Sequence, residues 1–139
     1  MAHDLEALMR RFYEEVVNRG RVELVDELAA DDFVEHEVFP GLSADKEGVK
    51  EFFQIMRSAF PDLRFEVEDL IASGDTAVAR VRMRGTHQGT FMDIPPTGKQ
   101  IDVPTMDWIR FREGQAVEHW GVTDTGAMME QLGAIPASV

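Results

Sequence analysis

The sequence predicts an α+β domain with helices packed on one face of an antiparallel sheet. Apolar residues recur every three to four positions as far as Phe60 and alternate from Leu63 onward, and the change of period falls at Pro61. Leu5, Leu8, Met9, Phe12, Val16 and Val17 form the apolar stripe of a first helix stopped by Gly20, with Glu6, Arg10, Glu14 and Arg19 opposite. Val22, Val25 and Leu28 suggest a short second helix ended by Asp31-Asp32. Phe33 to His36 is a short strand or extended turn leading into the Phe39-Pro40-Gly41 loop. A third helix starts near Ser43 to Asp45 and runs to Phe60, with Val49, Phe52, Phe53, Met56 and Phe60 on one face.

Four strands follow. Leu63, Phe65, Val67 and Ile71 alternate with acidic and basic residues before a turn at Ser73-Gly74-Asp75. Ala77, Ala79, Val81 and Met83 form the apolar face of the next strand, whose arginines lie opposite the acidic face of the first. Gly85 to Gln100 is a shaped connection containing Pro95-Pro96, since proline cannot donate to a central ladder. Ile101 to Arg112 and Gln115 to Val122 form a hairpin around Glu113-Gly114. A short helix after Asp124 carries Met128, Met129 and Leu132, ends at Gly133 and leaves a loose tail. With no repeat, low-complexity tract or linker, residues 1–139 read as one domain.

Composition narrows the function. With 14 Lys+Arg against 26 Asp+Glu the net charge is −12, and no basic cluster is present to neutralise phosphates, so nucleic acid is not expected as a partner. The absence of cysteine removes thiol nucleophiles, thiolate metal sites and disulfides. The four histidines are dispersed, with no His-x-His or His-x-x-x-His pair, which argues against a metal. The N-terminus has no basic flank followed by an apolar run, and no stretch approaches the roughly 18 apolar residues of a membrane span. A soluble, cytoplasmic protein with no membrane partner is expected.

The hairpin places polar groups among apolar ones. A three-residue loop with a bulge would set Asp107 opposite His119, Ile109 opposite Val117 and Trp108 opposite Glu118. A two-residue turn would instead set Asp107 opposite Trp120. In the bulged register one face holds Asp107, Ile109, Phe111, Val117, His119 and Gly121. The other holds Met106, Trp108, Trp120 and Val122 with Arg110 and Glu118. The helices can cover only one of these faces, so the tryptophan face is expected to meet a protein partner, most economically a second copy in a homodimer, or to lie under a loop of the same chain. Asp107 beside His119 is a candidate acid/base pair, or a buried ion pair that only satisfies two polar groups. His36 and His87 lie near sharp turns, and Asp124 with Thr125 fits a helix N-cap as well as a site acid. The eight methionines fill gaps or make a pocket tolerant of ligand shape.

Taken together, Asp31-Asp32-Phe33-Val34-Glu35-His36, Phe39-Pro40-Gly41, Gly48-Val49-Lys50, Phe60-Pro61-Asp62, Gly85-Thr86-His87-Gln88-Gly89, Ile94-Pro95-Pro96-Thr97-Gly98 and Glu118-His119-Trp120 resemble the SnoaL-like ester cyclases. These belong to the cone-shaped α+β barrel superfamily that includes ketosteroid isomerase and nuclear transport factor. The resemblance spans nearly the whole chain. It implies N-terminal helices in the concave face of a strongly curved sheet, a deep apolar pocket, dimers through the outer sheet face, and chemistry without metal or cofactor. In such cyclases an aldol condensation closes a ring of a polycyclic ester, with an acid/base aspartate two residues after a strand histidine; here Gly121 stands at that place. Asp107 also stands where those cyclases tend to have a histidine, and Asp93 where the proline loop usually has a glycine. Asp107-Trp108-Ile109-Arg110-Phe111 is similar to the ketosteroid isomerase-like pattern in which the aspartate donates to a developing oxyanion.

The expected function is therefore cofactor-independent proton transfer next to a carbonyl, by isomerisation or aldol-type cyclisation of a small apolar or polycyclic substrate. Asp107 and His119 would be catalytic, with His119 as base and Asp107 as its orienter or as a neutral donor. His36, His87, Asp124, Phe12, Phe53, Met56, Ile109 and Gly121 would line or support the pocket. The Gly121 departure counts against the usual cyclase base. The alternative is a ligand-binding or dimeric scaffold module that has lost its acid.

Overall fold

The computed structural model describes residues 3–135, so the expected loose tail past residue 135 lies outside the described residues. Helix α1 (Leu5–Arg11) is capped by the Asp4 carboxylate, which accepts from the Ala7 N–H, and it continues as a π-helical stretch over Phe12–Asn18. A single turn at Val22–Leu24 leads into α2 (Val25–Leu28), and α3 spans Lys46–Ala59. Asp45 caps α3 by accepting from the Gly48 N–H, which fixes the helix start inside the expected window.

The strands are β1 (Ala29–Glu35), β2 (Arg64–Ser73), β3 (Thr76–Thr86), β4 (Gln100–Arg112) and β5 (Gln115–Thr123), followed by α4 (Thr125–Leu132). The sheet order is β1-β5-β4-β3-β2. The α+β class expected from sequence is the class of the structure, with one difference of direction: β1 pairs parallel to β5, so the sheet is mixed. Asp31 and Asp32, read as a helix end, are exposed residues of this edge strand, where they pair with Lys46 and Arg112. Their charge stops α2 and also blunts a sheet edge.

Two registers differ from the alternation read off the sequence. In β2 an irregularity between Val67 and Asp69 shifts the inward positions, so Leu70 is buried and Ile71 is exposed. In the β4–β5 hairpin neither expected register occurs. Glu113 and Gly114 form a two-residue turn, with φ of 53° and 78°, between the paired Arg112 and Gln115. A bulge then intervenes between the Phe111–Ala116 and Arg110–Glu118 pairs, leaving Asp107 opposite Gly121 and Ile109 opposite His119. Turn and bulge together move the register one residue beyond what the turn alone would give. The faces are nevertheless those expected, because Asp107 and His119 now lie diagonally on the same side.

The core lies between the sheet's inner face and the helices. Met9, Tyr13, Val16 and Val17 from the first helix and Phe53, Met56 and Ala59 from α3 pack on Ala77, Ala79, Val81, Ile101 and Val103. Among the described residues no helix is long and apolar enough to cross a membrane.

Candidate active site

The inner face of the sheet ends in a cavity of about 510 Å³. Phe12 from the first helix, Phe53 and Met56 from α3, Ile109 and Phe111 from β4, and Met128 from α4 all line it. Half-exposed Val38 and Met92, from two loops, also belong to its wall, so it reaches the surface between them. Its polar groups converge from four elements at one place: Tyr13, Glu35, Glu37, Asp107 and His119.

These groups form a continuous hydrogen-bonded chain. The Tyr13 hydroxyl donates to Asp107 Oδ2 at 2.6 Å. His119 Nε2 lies 2.8 Å from Asp107 Oδ1, and its Nδ1 lies 2.5 Å from Glu35 Oε1. The parallel pairing of Glu35 with His119 puts their side chains on the same side of the sheet, and the Glu37 N–H donates to Glu35 Oε1 at 2.8 Å. Glu37, two residues on, therefore also faces inward, and its Oε2 accepts a 3.3 Å bond from Thr123.

Electrostatics decide the state of the ring. Burial by itself would lower the His119 pKa, but the hydrogen bonds and charges of Asp107 and Glu35 overcome it and push the value up to about 10. His119 is then an imidazolium that donates from both nitrogens. Burial, then the charge of Asp107, raises Tyr13 well above an ordinary phenol, so it remains a donor. Burial raises Glu37 as well; the His119 charge partly offsets this, while Asp107 and Glu35 add to it. Glu37, Asp107 and His119 offer polar atoms within 4.8 Å of one another, close enough to enclose an ion. Within the chain both His119 nitrogens and both Asp107 oxygens are engaged in hydrogen bonds.

The remaining expected site residues fall elsewhere. His36 is on the outer face, not in the cavity: alternation along β1 turns it outward, where it bonds Glu118 at 2.8 Å and stacks on Trp120 with a 4.6 Å centroid separation. His87 is fully buried away from the cavity wall, and its Nδ1 accepts from the Thr97 N–H at 3.2 Å, pinning the proline loop. Asp124 caps α4 by accepting from the Ala127 N–H at 2.9 Å. Gly121 borders the site, since a Cβ there would lie 2.3 Å from Glu37 Oε1. The sequence pattern does not mark Tyr13, Glu35 or Glu37 as site residues, although Tyr13 stands four residues after Met9 on the buried face of its helix and Glu37 two after Glu35 on the inward period of β1 carried past its end.

The mixed sheet, the helices packed on its inner face and the buried Asp–His pair on the cavity wall define a protein of the cone-shaped α+β type. The chain belongs to the SnoaL-like polyketide cyclase family, which matches residues 7–132. Among solved structures it resembles IdmH, a candidate polyketide cyclase from Streptomyces antibioticus, at 35% identity over 94% of this chain and 99% of that one, with a TM-score of 0.82. TsrD from Streptomyces laurentii aligns at 26% identity over 96% and 100% of the two chains, with a TM-score of 0.86. AclR from Streptomyces galilaeus, described as a candidate hydroxylase, aligns at 27% identity over 96% of this chain and 83% of that one, with a TM-score of 0.85. Comparison with curated protein sequences gives no match.

Proposed function

We propose that this protein is a cofactor-independent, cytoplasmic enzyme that moves a proton next to a carbonyl of a small apolar or polycyclic substrate, by isomerisation or aldol-type cyclisation. One observation carries the reading: the Asp107–His119 pair is 2.8 Å apart, about nine-tenths shielded (side-chain exposures 11% and 14%), and part of the wall of an otherwise apolar cavity. A scaffold that had lost its chemistry would be expected to fill the cavity or to satisfy Asp107 with backbone donors. Here the donors are the Tyr13 hydroxyl and the His119 ring. The cationic ring offsets part of the negative charge that Asp107 and Glu35 put beside the cavity, which lowers the cost of forming an enolate there. That reading takes His119 out of the role of base expected from sequence and makes it the electrostatic centre.

The kinetic test is turnover of an apolar ketone by the wild type, Asp107→Asn and His119→Ala. Losses of 100-fold or more in both variants support the assignment, and unchanged turnover in both removes it. A ligand copurified in the cavity would identify the substrate class directly.

A homodimer is part of the proposal. Met106, Trp108, Trp120 and Val122 form an exposed apolar patch on the outer face, with Trp108 at 52% exposure, and the Arg110–Glu118 ion pair lies among them. A second copy is the occupant proposed for this patch. Light scattering of Trp108→Glu should then show monomers where the wild type shows dimers.

A further inference from the structure

We propose that Glu37 is the group that exchanges a proton with a substrate carbon in this cavity, an assignment that rests on the proton-transfer reading above. Hydrogen bonding and position separate Glu37 from the rest of the cluster. Both His119 nitrogens already donate, at 2.8 Å to Asp107 and at 2.5 Å to Glu35. Asp107 accepts one bond at each oxygen, from His119 and Tyr13. Glu35 is held through Oε1 by both the His119 ring and the Glu37 N–H; its Oε2 has no protein donor among the described residues, but only Glu37 places a carboxylate oxygen in the same cluster as Asp107 and His119. Among the described residues, Glu37 Oε1 has no protein donor, and its Oε2 has only the long 3.3 Å bond from Thr123. Glu37 lines the cavity and offers an oxygen within 4.8 Å of both Asp107 and His119.

Gly121 is what admits this carboxylate. A Cβ at position 121 would sit 2.3 Å from Glu37 Oε1 and 2.9 Å from His119 Nε2. A strand side chain and the Glu37 carboxylate therefore compete for one space, and with glycine on β5 the acid arrives from the end of β1. The charged or titratable groups facing it are Glu35 from the end of β1, Asp107 from β4, His119 from β5 and Tyr13 from the first helix. Burial and the two carboxylates raise its pKa against the opposing charge of His119, which brings it toward the pH at which a base must work.

In the proposed step a C–H bond next to the substrate carbonyl breaks. Its proton passes to Glu37 Oε1, and its electron pair forms an enolate; Glu37 loses its charge as the enolate gains one, so the total charge beside the His119 ring does not change. Return of the proton to a different carbon completes an isomerisation. Alternatively, the enolate carbon attacks a second carbonyl of the same molecule and Glu37 protonates the resulting alkoxide, which completes an aldol closure. Neither route needs another reactant.

The test is deuterium exchange at the α-carbon of 2-tetralone in D₂O, followed by NMR against pH. Wild type should accelerate exchange, with a rate that rises through a pKa above that of an ordinary glutamate. Glu37→Gln should lose at least 100-fold and lose that pH dependence while its circular dichroism is retained. The double variant Glu37→Ala, Gly121→Asp, which puts a carboxylate into the vacated space from the other strand, should recover part of the rate. Exchange that survives in Glu37→Gln but disappears in Asp107→Asn overturns the assignment of the base and leaves the proton-transfer function standing. If wild type gives no acceleration, the function itself fails and the base with it.

Discussion

Strands β1 and β5 are joined by two histidine–glutamate pairs, one on each side of the sheet. Inside, Glu35 of β1 meets His119 of β5; outside, His36, just past β1, meets Glu118 of β5. The partners are the same residue types with similar separations, 2.5 Å and 2.8 Å, yet their surroundings are opposite. The inner ring is 14% exposed and has a second carboxylate, Asp107, on its other nitrogen. The outer ring is 36% exposed, and its other contact is the face of Trp120. Burial and the second carboxylate, more than the pair itself, make the inner ring a charged centre and leave the outer one a surface contact.

Replacing each histidine should expose the contrast most strongly. His119→Gln leaves Asp107 and Glu35 facing each other in a shielded site without a cation between them. A loss of about 3–5 kcal/mol in urea unfolding is expected, the size found when one partner of a buried pair is removed. A loss below about 1 kcal/mol would mean that water reaches the inner cluster and that the two pairs are equivalent.

The pH dependence comes next in size. Because the folded-state pKa of His119, about 10, lies above its unfolded value near 6.5, the native state holds a proton that the unfolded state has released between those values. Its contribution is complete below about pH 6.5 and is lost as pH rises through 10. Wild type should therefore lose a few kcal/mol of stability from this group between pH 7 and 10, and His119→Gln should show a flatter profile over the same range.

The legibility of these two faces in the sequence follows the same division. Alternation in β4 and β5 placed Asp107, Ile109 and His119 together and Met106, Trp108 and Trp120 apart from them, because a period of two survives an error in register. What could not be read was the neighbour of β5 on its other side. Pairing between β1 and β5 spans more than eighty residues of chain, and nothing in Asp31-Asp32-Phe33-Val34-Glu35-His36 announces a parallel partner. Glu35 and Glu37 are therefore not among the residues the sequence points to, and His36, expected at the pocket, lies on the outer face. Tyr13 was hidden differently: it belongs to the buried face of its helix, but its role depends on a hydrogen bond to a residue 94 positions away.

Glu37 should separate stability from function within the inner cluster. Its carboxylate is desolvated and stands beside two others, so ionisation opposes folding at pH 8. Glu37→Gln should gain about 1 kcal/mol in urea unfolding at that pH while losing activity, as expected where a site holds a group unfavourable to the fold. Loss of stability with loss of activity would instead make Glu37 a structural partner of His119.

The smallest effect belongs to the outer pair, and its size depends on what covers it. In an isolated chain His36→Gln removes a partly exposed contact to Glu118 and a stacked ring, which together should be worth no more than about 1 kcal/mol. If a second copy lies over Trp108 and Trp120, the same substitution also weakens association, and its cost then grows with protein concentration because only the dimer carries the buried form of the pair. Unfolding of wild type and His36→Gln at 1 μM and 100 μM distinguishes these cases. A difference that widens with concentration makes the outer pair part of an interface, whereas a constant difference leaves it a surface contact and confines the contrast between the two pairs to burial within one chain.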